Sequence, residues 1–157
     1  MWCGASGTVA AVANPSKDKG DRAERSFIAH IAPWFPNARR GKAGAEADLG
    51  DIFGCRDRDG DDWTVQIADR KWRSHGELLA KAHQAAQQSE RAGTACWCMV
   101  VKRPGCSDVG DWFVWLPVWL AFDTNDGPWT VDAVNDLAMV TVRTWLAMFA
   151  PHPVVTT

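Results

Sequence analysis

An acidic turn between two apolar segments is the feature that most constrains how this chain folds. Residues 57–62 read Asp-Arg-Asp-Gly-Asp-Asp, and Asp-Gly is a strong signal for a β-hairpin turn. After this turn, Trp63, Val65 and Ile67 alternate with Thr, Gln and Ala, a pattern typical of a strand with one buried face. Residues 49–55, before the turn, also have the composition of a short strand. The sequence therefore predicts an antiparallel hairpin.

Helices are predicted on either side of this hairpin. Residues 18–32 place apolar side chains on one stripe at helical spacing and end in a proline-containing segment. Further along the chain, Ser74 and Glu77 form a capping box, which marks the start of a helix, and Gly93 is a suitable C-terminal cap. We therefore expect a second helix between Ser74 and Gly93.

The second half of the chain predicts two buried strands and a last helix. Residues 94–101 and 112–116 are apolar on both faces, as strands inside a sheet are. Thr130 is expected to cap the last helix. The inner stripe of that helix is predicted to be Val134, Leu137, Thr141, Trp145 and Met148. The order helix, hairpin, helix, two strands, helix predicts an α/β fold with a mixed β-sheet flanked by α-helices.

The size and composition of the chain predict one domain outside a membrane. It has 157 residues, of which 46% are apolar, enough for one sizeable core. We expect a flexible arm over residues 1–16 and a single domain over residues 17–157. The longest apolar stretch, residues 112–122, is shorter than the roughly 18 residues of a membrane span. The N-terminal residues lack the pattern of a secretion signal, so the five cysteines predict reduced thiols in the cytoplasm.

Charge is distributed in blocks along the chain, although the net charge is only −2. Residues 1–42 and 63–105 each carry a net charge of +4, whereas residues 43–62 and 106–157 each carry −5. A near-neutral total argues against a protein that coats DNA, but the blocks allow a local basic groove beside an acidic pocket. Scattered, solvated surface charge explains the same pattern and stays open as the alternative.

Several familiar sites do not match the spacing of this sequence. The acidic turn lacks the Gly and Glu positions of an EF-hand loop, so its Asp residues are interpreted as turn formers. Cys96 and Cys98 have no second pair of ligands at zinc-finger spacing and are expected to be buried thiols. Neither a Gly-x-Ser-x-Gly motif nor a Walker loop is present. Acyl transfer and nucleotide hydrolysis therefore have no support.

An acidic constellation gives the strongest chemical hypothesis. Glu24 lies on the first predicted helix, Asp51 opens the hairpin, and Asp69 and Lys71 follow its second strand. Two acids on neighbouring strands can share one divalent cation, with a helical Glu nearby and a Lys to orient water or stabilise charge. These are the requirements for metal-assisted phosphodiester hydrolysis. The same side chains also suit turn, helix-terminus and surface positions, and that alternative remains open.

A family resemblance is carried by several segments in order. Residues 17–24 read Lys-Asp-Lys-Gly-Asp-Arg-Ala-Glu, and an Arg pair at 39–40 precedes Asp-Leu-Gly-Asp-Ile-Phe-Gly at 48–54. Residues 85–105 combine a predicted helix with a strand that ends in Lys-Arg-Pro-Gly. Over residues 17–116 this order and spacing resemble small phage nucleases of the PD-(D/E)XK superfamily, the Holliday junction resolvase-like family.

The resemblance implies a fold, a cofactor and a substrate. It implies a restriction-endonuclease-like mixed β-sheet flanked by α-helices. It also implies a Mg²⁺- or Mn²⁺-dependent endonuclease that cuts branched or junction DNA, usually as a homodimer. Glu24 and Asp51 match family positions directly. If the protein is phage-encoded, its location is expected to be the cytoplasm of the host.

The third element of the family pattern is altered in this chain. The family strand has the form Trp-x-x-Glu-x-Lys, and alignment on Trp63 places Gln66 and Ala68 at the Glu and Lys positions. Because side chains alternate along a strand, Gln66 and Ala68 are expected to face the pocket beside Asp51. Asp51, Gln66 and Glu24 are then the predicted metal ligands.

The displaced Asp-x-Lys follows the strand. Asp69 and Lys71 reach the pocket only if the strand bulges or ends by about Ala68, which would place them at the pocket rim. Both remain candidate catalytic residues, with Lys71 supplying positive charge and Lys102 in reserve.

Cationic side chains spread along the chain are predicted to contact DNA phosphates. They are Lys17, Lys19, Arg22, Arg39, Arg40, Arg70, Arg73, Lys102 and Arg103. Two other functions remain open. The lost Glu-x-Lys pair favours a nuclease-fold protein that binds DNA structures with weakened or no cleavage. The apolar stretch at 112–122, with Trp115 and Trp119, would instead suit a protein-interaction module.

Overall fold

The structure is a computed structural model that describes residues 15–41, 50–69, 71–72, 74–121 and 136–153. These residues form four helices, six strands and one 3₁₀ turn. The helices are α1 (Pro15–Ile31), α2 (His75–Ala92), α3 (Val118–Ala121) and α4 (Val142–Phe149). The strands are β1 (Arg39–Arg40), β2 (Ile52–Arg56), β3 (Asp62–Ala68), β4 (Cys96–Val101), β5 (Phe113–Pro117) and β6 (Leu137–Thr141). The 3₁₀ turn is Val109–Asp111.

The described strands build one mixed sheet in the order β1-β2-β3-β4-β5-β6. β3 and β4 are parallel, and the other neighbouring pairs are antiparallel. α2 connects β3 to β4, as a parallel pair requires a crossover. The predicted class, an α/β fold with a mixed sheet flanked by helices, is confirmed. Because β3 and β4 are parallel, their carboxyl ends lie at the same edge of the sheet.

The two faces of the sheet bury different helices. Trp63, Val65 and Ile67 point to the face covered by α1 and α4, where Phe27 and Trp145 are fully buried. On the other face, α2 packs its apolar stripe against the opposite side of β3 and β4. This two-sided cover explains why β4 is buried along its whole length.

Local signals set the ends of α2 as the sequence predicts. The side chain of Ser74 accepts a hydrogen bond from the backbone N–H of Glu77 at 3.2 Å, which caps the first turn. Gly93 adopts the left-handed conformation with φ of 66°, which favours glycine and ends the helix. The predicted hairpin is also present, since β2 and β3 pair in antiparallel fashion around the acidic turn.

The predicted C-terminal helix is wrong over residues 137–141. Leu137 and Thr141 belong to β6, which pairs with β5, and only the following residues form α4. The Thr141 side chain accepts a hydrogen bond from the backbone N–H of Thr144 at 3.2 Å and so caps α4. The predicted cap, Thr130, lies outside the described residues. Pairing with β5 determines that this segment is a strand. Helical periodicity in the sequence carries no information about that pairing.

The first helix begins at Pro15, inside the segment predicted as an arm, and residues 1–14 lie outside the described ones. The apolar stretch at 112–121 contributes largely to the core, since Trp112, Val114 and Leu116 are buried. None of the described helices is both long and apolar enough to cross a membrane.

Candidate functional site

Asp51 lies immediately before β2 and holds the neighbouring strand through one carboxylate oxygen. Its Oδ2 accepts a hydrogen bond from the backbone N–H of Ile67 at 2.7 Å and another from the side-chain amide of Gln66. The carboxylate thus takes the place of a strand carbonyl beside Ile67. Gly50 allows this close approach, because its φ is +111° and an added Cβ would lie 2.8 Å from the Thr64 methyl group.

Gln66 is buried beside Asp51 and leaves one oxygen unsatisfied. The residue is only 5% exposed, and its amide nitrogen donates to Asp51. Its Oε1 is buried and has no hydrogen-bond partner among the residues that the structure describes, which is uncommon because buried polar atoms are nearly always bonded. Ala68, two residues further on, packs in the apolar cluster with Leu78 and Ala82 of α2. Because side chains alternate along a strand, Ala68 lies on the same face of β3 as Gln66, and its place in the pocket beside Asp51 stays a prediction.

Glu24 is bound by Arg40 rather than presented to Asp51. The Arg40 Nε lies 2.5 Å from Glu24 Oε2, and its Nη2 lies 2.6 Å from Asp21 Oδ1. Burial lowers the pKa of the Arg40 guanidinium, but the hydrogen bonds to Glu24 and Asp21 outweigh it and raise that pKa. Arg40 pairs with Ile52 in the sheet, next to Asp51. The predicted phosphate contact Arg40 therefore anchors α1 to β1.

A cavity of about 420 Å³ collects five of the other predicted site residues. Its charged lining residues are Lys19, Arg22, Asp69, Lys71 and Lys102, and the Pro104–Gly105 turn completes the wall. We call this the basic cavity. Among the described residues, four cationic side chains and one carboxylate give the lining a net charge of +3. Such a concentration of positive charge in a concave surface attracts anions.

Three elements create the basic cavity. Asp69 and Lys102 directly follow the carboxyl ends of β3 and β4, and the backbone N–H of Lys102 donates to the carbonyl of Ala68 at 2.9 Å. Lys19 and Arg22 are three residues apart on α1, so they project on the same side of the helix. The sequence pattern gives the Lys19–Arg22 relationship. The tertiary fold brings Asp69 next to Lys102 and then joins the two groups.

Within the basic cavity, Lys102 is held on two sides. Its Nζ lies 3.3 Å from Asp69 Oδ2 and 5.8 Å from the centre of the Trp112 ring. Trp112 is 2% exposed, so the ring is a fixed wall and the ammonium group is restrained above it. β3 ends at Ala68, which is the condition under which Asp69 and Lys71 reach a pocket.

The remaining predicted contacts are dispersed. Lys17, Arg39 and Arg103 are exposed and do not line the basic cavity. Arg103 instead lies 5.6 Å from the centre of the Phe113 ring. Arg70 and Arg73 lie outside the described residues. The structure therefore gathers Lys19, Arg22, Asp69, Lys71 and Lys102. It places Gln66 against Asp51 and pairs Glu24 with Arg40.

Sequence reasoning missed Asp21 and the Pro104–Gly105 turn. Asp21 lies one helical turn before Glu24, so an i, i+3 search for paired acids would have found it. The Pro-Gly turn follows Lys102 directly and has the composition of a loop. No local signal indicates that it closes a cavity with α1.

A different acidic cluster in the described residues has a structural explanation. Asp57, Asp61 and Cys96 place potential ligand atoms within 4.8 Å of one another. However, Asp57 already accepts hydrogen bonds from two turn N–H groups and from the Trp63 indole. Burial, assisted by nearby carboxylates, raises the pKa of the Cys96 thiol to about 12. The cluster therefore stabilises the turn and offers no thiolate to a metal.

The donors at Asp51 are compatible in type with a divalent cation. Mg²⁺ and Mn²⁺ bind carboxylate and amide oxygens and keep several waters, so few protein ligands suffice. Asp51 supplies a carboxylate. Gln66 now turns its amide nitrogen toward that carboxylate, and rotation of the amide would present Oε1 in its place. Glu24 binds Arg40 through Oε2, so its other carboxylate oxygen would have to serve as the ligand. Asp51 and Gln66 are thus the two residues that would hold such an ion.

Comparison of this chain with protein-family models, with curated proteins and with solved structures finds no match. The resemblance to resolvase-like nucleases stays a prediction.

Proposed function

We propose that this protein binds DNA through its basic cavity. The observation that carries the proposal is the convergence of Lys19, Arg22, Lys71 and Lys102 on one concave surface. The two flanking charge blocks of the sequence meet there, one through α1 and the other through the ends of β3 and β4. Cations that neutralise phosphates release condensed counterions, which favours binding.

The binding can be tested by fluorescence anisotropy with a four-way junction and a linear duplex. Affinity is expected to fall steeply between about 50 and 200 mM salt. Lys71→Ala should weaken binding and flatten the salt dependence, whereas Lys81→Ala, which removes the same charge from α2 outside the cavity, should not. Equal affinity at both salt concentrations, or equal effects of the two variants, would refute the proposal. A preference for the junction would extend it to branched DNA.

A second candidate function is metal-dependent cleavage of branched DNA. It is favoured by the unsatisfied Gln66 Oε1 next to the Asp51 carboxylate. A bound Mg²⁺ or Mn²⁺ would activate water and stabilise the charge that develops on the phosphate. Asp51 and Gln66 would hold the ion, while Lys71 would help to neutralise the phosphate. Asp69 is two residues beyond Ile67, or about 7 Å along an extended chain, so the cavity lies close to this pair.

Cleavage and binding can be separated with one variant. The junction and the duplex should be incubated with and without Mg²⁺ or Mn²⁺, and Asp51→Asn should abolish cleavage while binding persists or tightens. Loss of cleavage without loss of binding supports the metal site. Cleavage by Asp51→Asn at the parent rate would rule it out. No cleavage by the parent protein, with binding intact, would favour a DNA-structure-binding protein.

We also propose that the protein acts as a homodimer in the cytoplasm. The dimer follows from the resemblance and from the symmetry of a four-way junction, which offers two equivalent strands. The location is supported by the free thiols of Cys55, Cys96, Cys98 and Cys106, since reduced cysteines are typical of the cytoplasm. Sedimentation of the parent protein with and without junction DNA tests the dimer.

A further inference from the structure

The charges of the basic cavity are unequally paired. Lys102 has a carboxylate partner, Asp69, at 3.3 Å. For Lys19, Arg22 and Lys71, no ion pair with a carboxylate is present among the described residues. Arg22 makes one long contact, 3.5 Å, to the backbone carbonyl of Asp18, which leaves its charge uncompensated. Within the described part of the chain, the cavity therefore holds three cations that have no carboxylate partner, in addition to one neutralised pair.

This count exceeds what one internal DNA phosphate can neutralise. An internal phosphodiester carries a single negative charge and presents two non-bridging oxygens. A phosphate monoester at pH 7 carries a charge of about −1.5 to −2 and presents three acceptor oxygens. Three cations, two from α1 and one from the segment after β3, can each pair with one of the three oxygens of a monoester. A phosphodiester offers only two such oxygens. The volume of about 420 Å³ lies within the range of about 300–1,000 Å³ that accommodates a small molecule.

Asp69 contributes to this selectivity. A lone carboxylate at this position would repel any phosphate, but Asp69 is tied to Lys102, which is itself restrained above Trp112. The pair thus forms a nearly neutral wall, and the uncompensated charge is left on the other three side chains. An anion is expected to lie against Lys19, Arg22 and Lys71.

We propose that the basic cavity binds a phosphate monoester on a nucleotide, as at the phosphorylated end of a DNA strand, in preference to internal phosphodiesters. This inference rests on the proposed DNA binding and narrows it to strand ends or nicks that carry a terminal phosphate. The cavity then acts as an end-recognition site, and the exposed cations around it contact the continuing backbone.

The test compares oligonucleotides that differ only in the terminal phosphate. Competition anisotropy with the full chain should use single strands with a 5′-phosphate, a 3′-phosphate or hydroxyl ends. A phosphorylated end should bind about fivefold more tightly than hydroxyl ends, because charge-assisted hydrogen bonds are the strong ones. Lys71→Gln and Lys19→Gln should each remove most of this preference. Lys81→Gln, outside the cavity, should keep it.

A free nucleotide identifies what is recognised. Deoxyadenosine monophosphate should displace the phosphorylated strand, whereas deoxyadenosine at the same concentration should not. If the monophosphate does not compete, the monoester itself is not the ligand and the inference is overturned. Equal affinity for phosphorylated and hydroxyl strands, with steep salt dependence, overturns the inference but leaves DNA binding intact. Absence of binding to every oligonucleotide and junction overturns both. A preference that survives both cavity variants places the recognition elsewhere and also overturns it.

Discussion

Replacing Asp51 should reveal how much of its importance is structural. The Asp51→Ala variant removes the oxygen that accepts from the Ile67 backbone and the Gln66 amide. Both donors belong to buried residues, 8% and 5% exposed, so water cannot readily replace the lost partner. A charge-assisted hydrogen bond contributes about 1.5–3 kcal/mol. Two such bonds predict a loss of at least about 3 kcal/mol in the free energy of unfolding.

The Asp51→Asn variant should lose about half as much. Both hydrogen bonds end on the same oxygen, Oδ2, and a carbonyl oxygen of Asn can accept two bonds in that position. Neutral hydrogen bonds are roughly half as strong as charged ones, so the expected loss is about 1.5 kcal/mol. At about 2–4 °C per kcal/mol for a chain of this length, the Tm should fall by about 3–6 °C for Asn and about 6–12 °C for Ala.

Urea unfolding monitored by tryptophan fluorescence measures both losses, and thermal melting gives the Tm values. Asp59→Ala is the control, because Asp59 is an exposed turn residue and surface substitutions usually change stability by less than about 0.5 kcal/mol. A loss below about 1 kcal/mol for Asp51→Ala would refute the reasoning, as would equal losses for Ala and Asn. The same measurement is needed to interpret the cleavage assay. If Asp51→Asn is well folded, a loss of cleavage reflects the loss of a metal ligand and not the loss of structure.

Burial and charge lead to four further predictions. Gln66→Glu should lower the Tm of the metal-free protein, because the new carboxylate would meet that of Asp51. Mn²⁺ should restore the Tm of the variant and barely change that of the parent. A variant whose Tm does not respond to Mn²⁺ would refute an ion site there. Ala68→Lys should lower the Tm because the site is apolar and 5% exposed, and an unchanged Tm would show that the side chain escapes to solvent. Burial raises the pKa of the Cys55 thiol to about 12, so iodoacetamide at pH 8 should modify the half-buried Cys106 well before Cys55, as read by peptide mass spectrometry. The raised thiol pKa also predicts that the free energy of unfolding falls between about pH 9 and pH 12, because only the unfolded thiol releases its proton there; a flat profile would contradict it.

Local sequence was sufficient wherever the stabilising contact lies within a few residues. Ser74 and Glu77 mark the start of α2, and Gly93 marks its end, because capping hydrogen bonds join residues three to six positions apart. The acidic turn predicted the hairpin for a similar reason, because the hydrogen bonds of a turn also join residues only a few positions apart. The position of Asp51 beside the second strand then followed from the antiparallel register, which the sequence also indicates.

Contacts between distant segments could not be predicted in this way. Leu137 and Thr141 fit a helical stripe, yet they form β6 because β5 offers a free edge to pair with. Glu24 has the position of a metal ligand, but Arg40, brought close by the packing of α1 on the sheet, binds it instead. Neither outcome depends on the spacing within one element.

The sequence by itself determined the fold class, the hairpin, the capped helix and the residue types available for phosphate and metal chemistry. Only the tertiary structure decided which of those residues meet. The parallel pairing of β3 with β4 places Asp69 beside Lys102, and the packing of α1 brings Lys19 and Arg22 to the same cavity. The physical reason is that periodicity and capping energies act over one or two turns of chain. The charges of the cavity converge instead because buried apolar faces of distant segments pack together. That packing forms only when the whole fold forms.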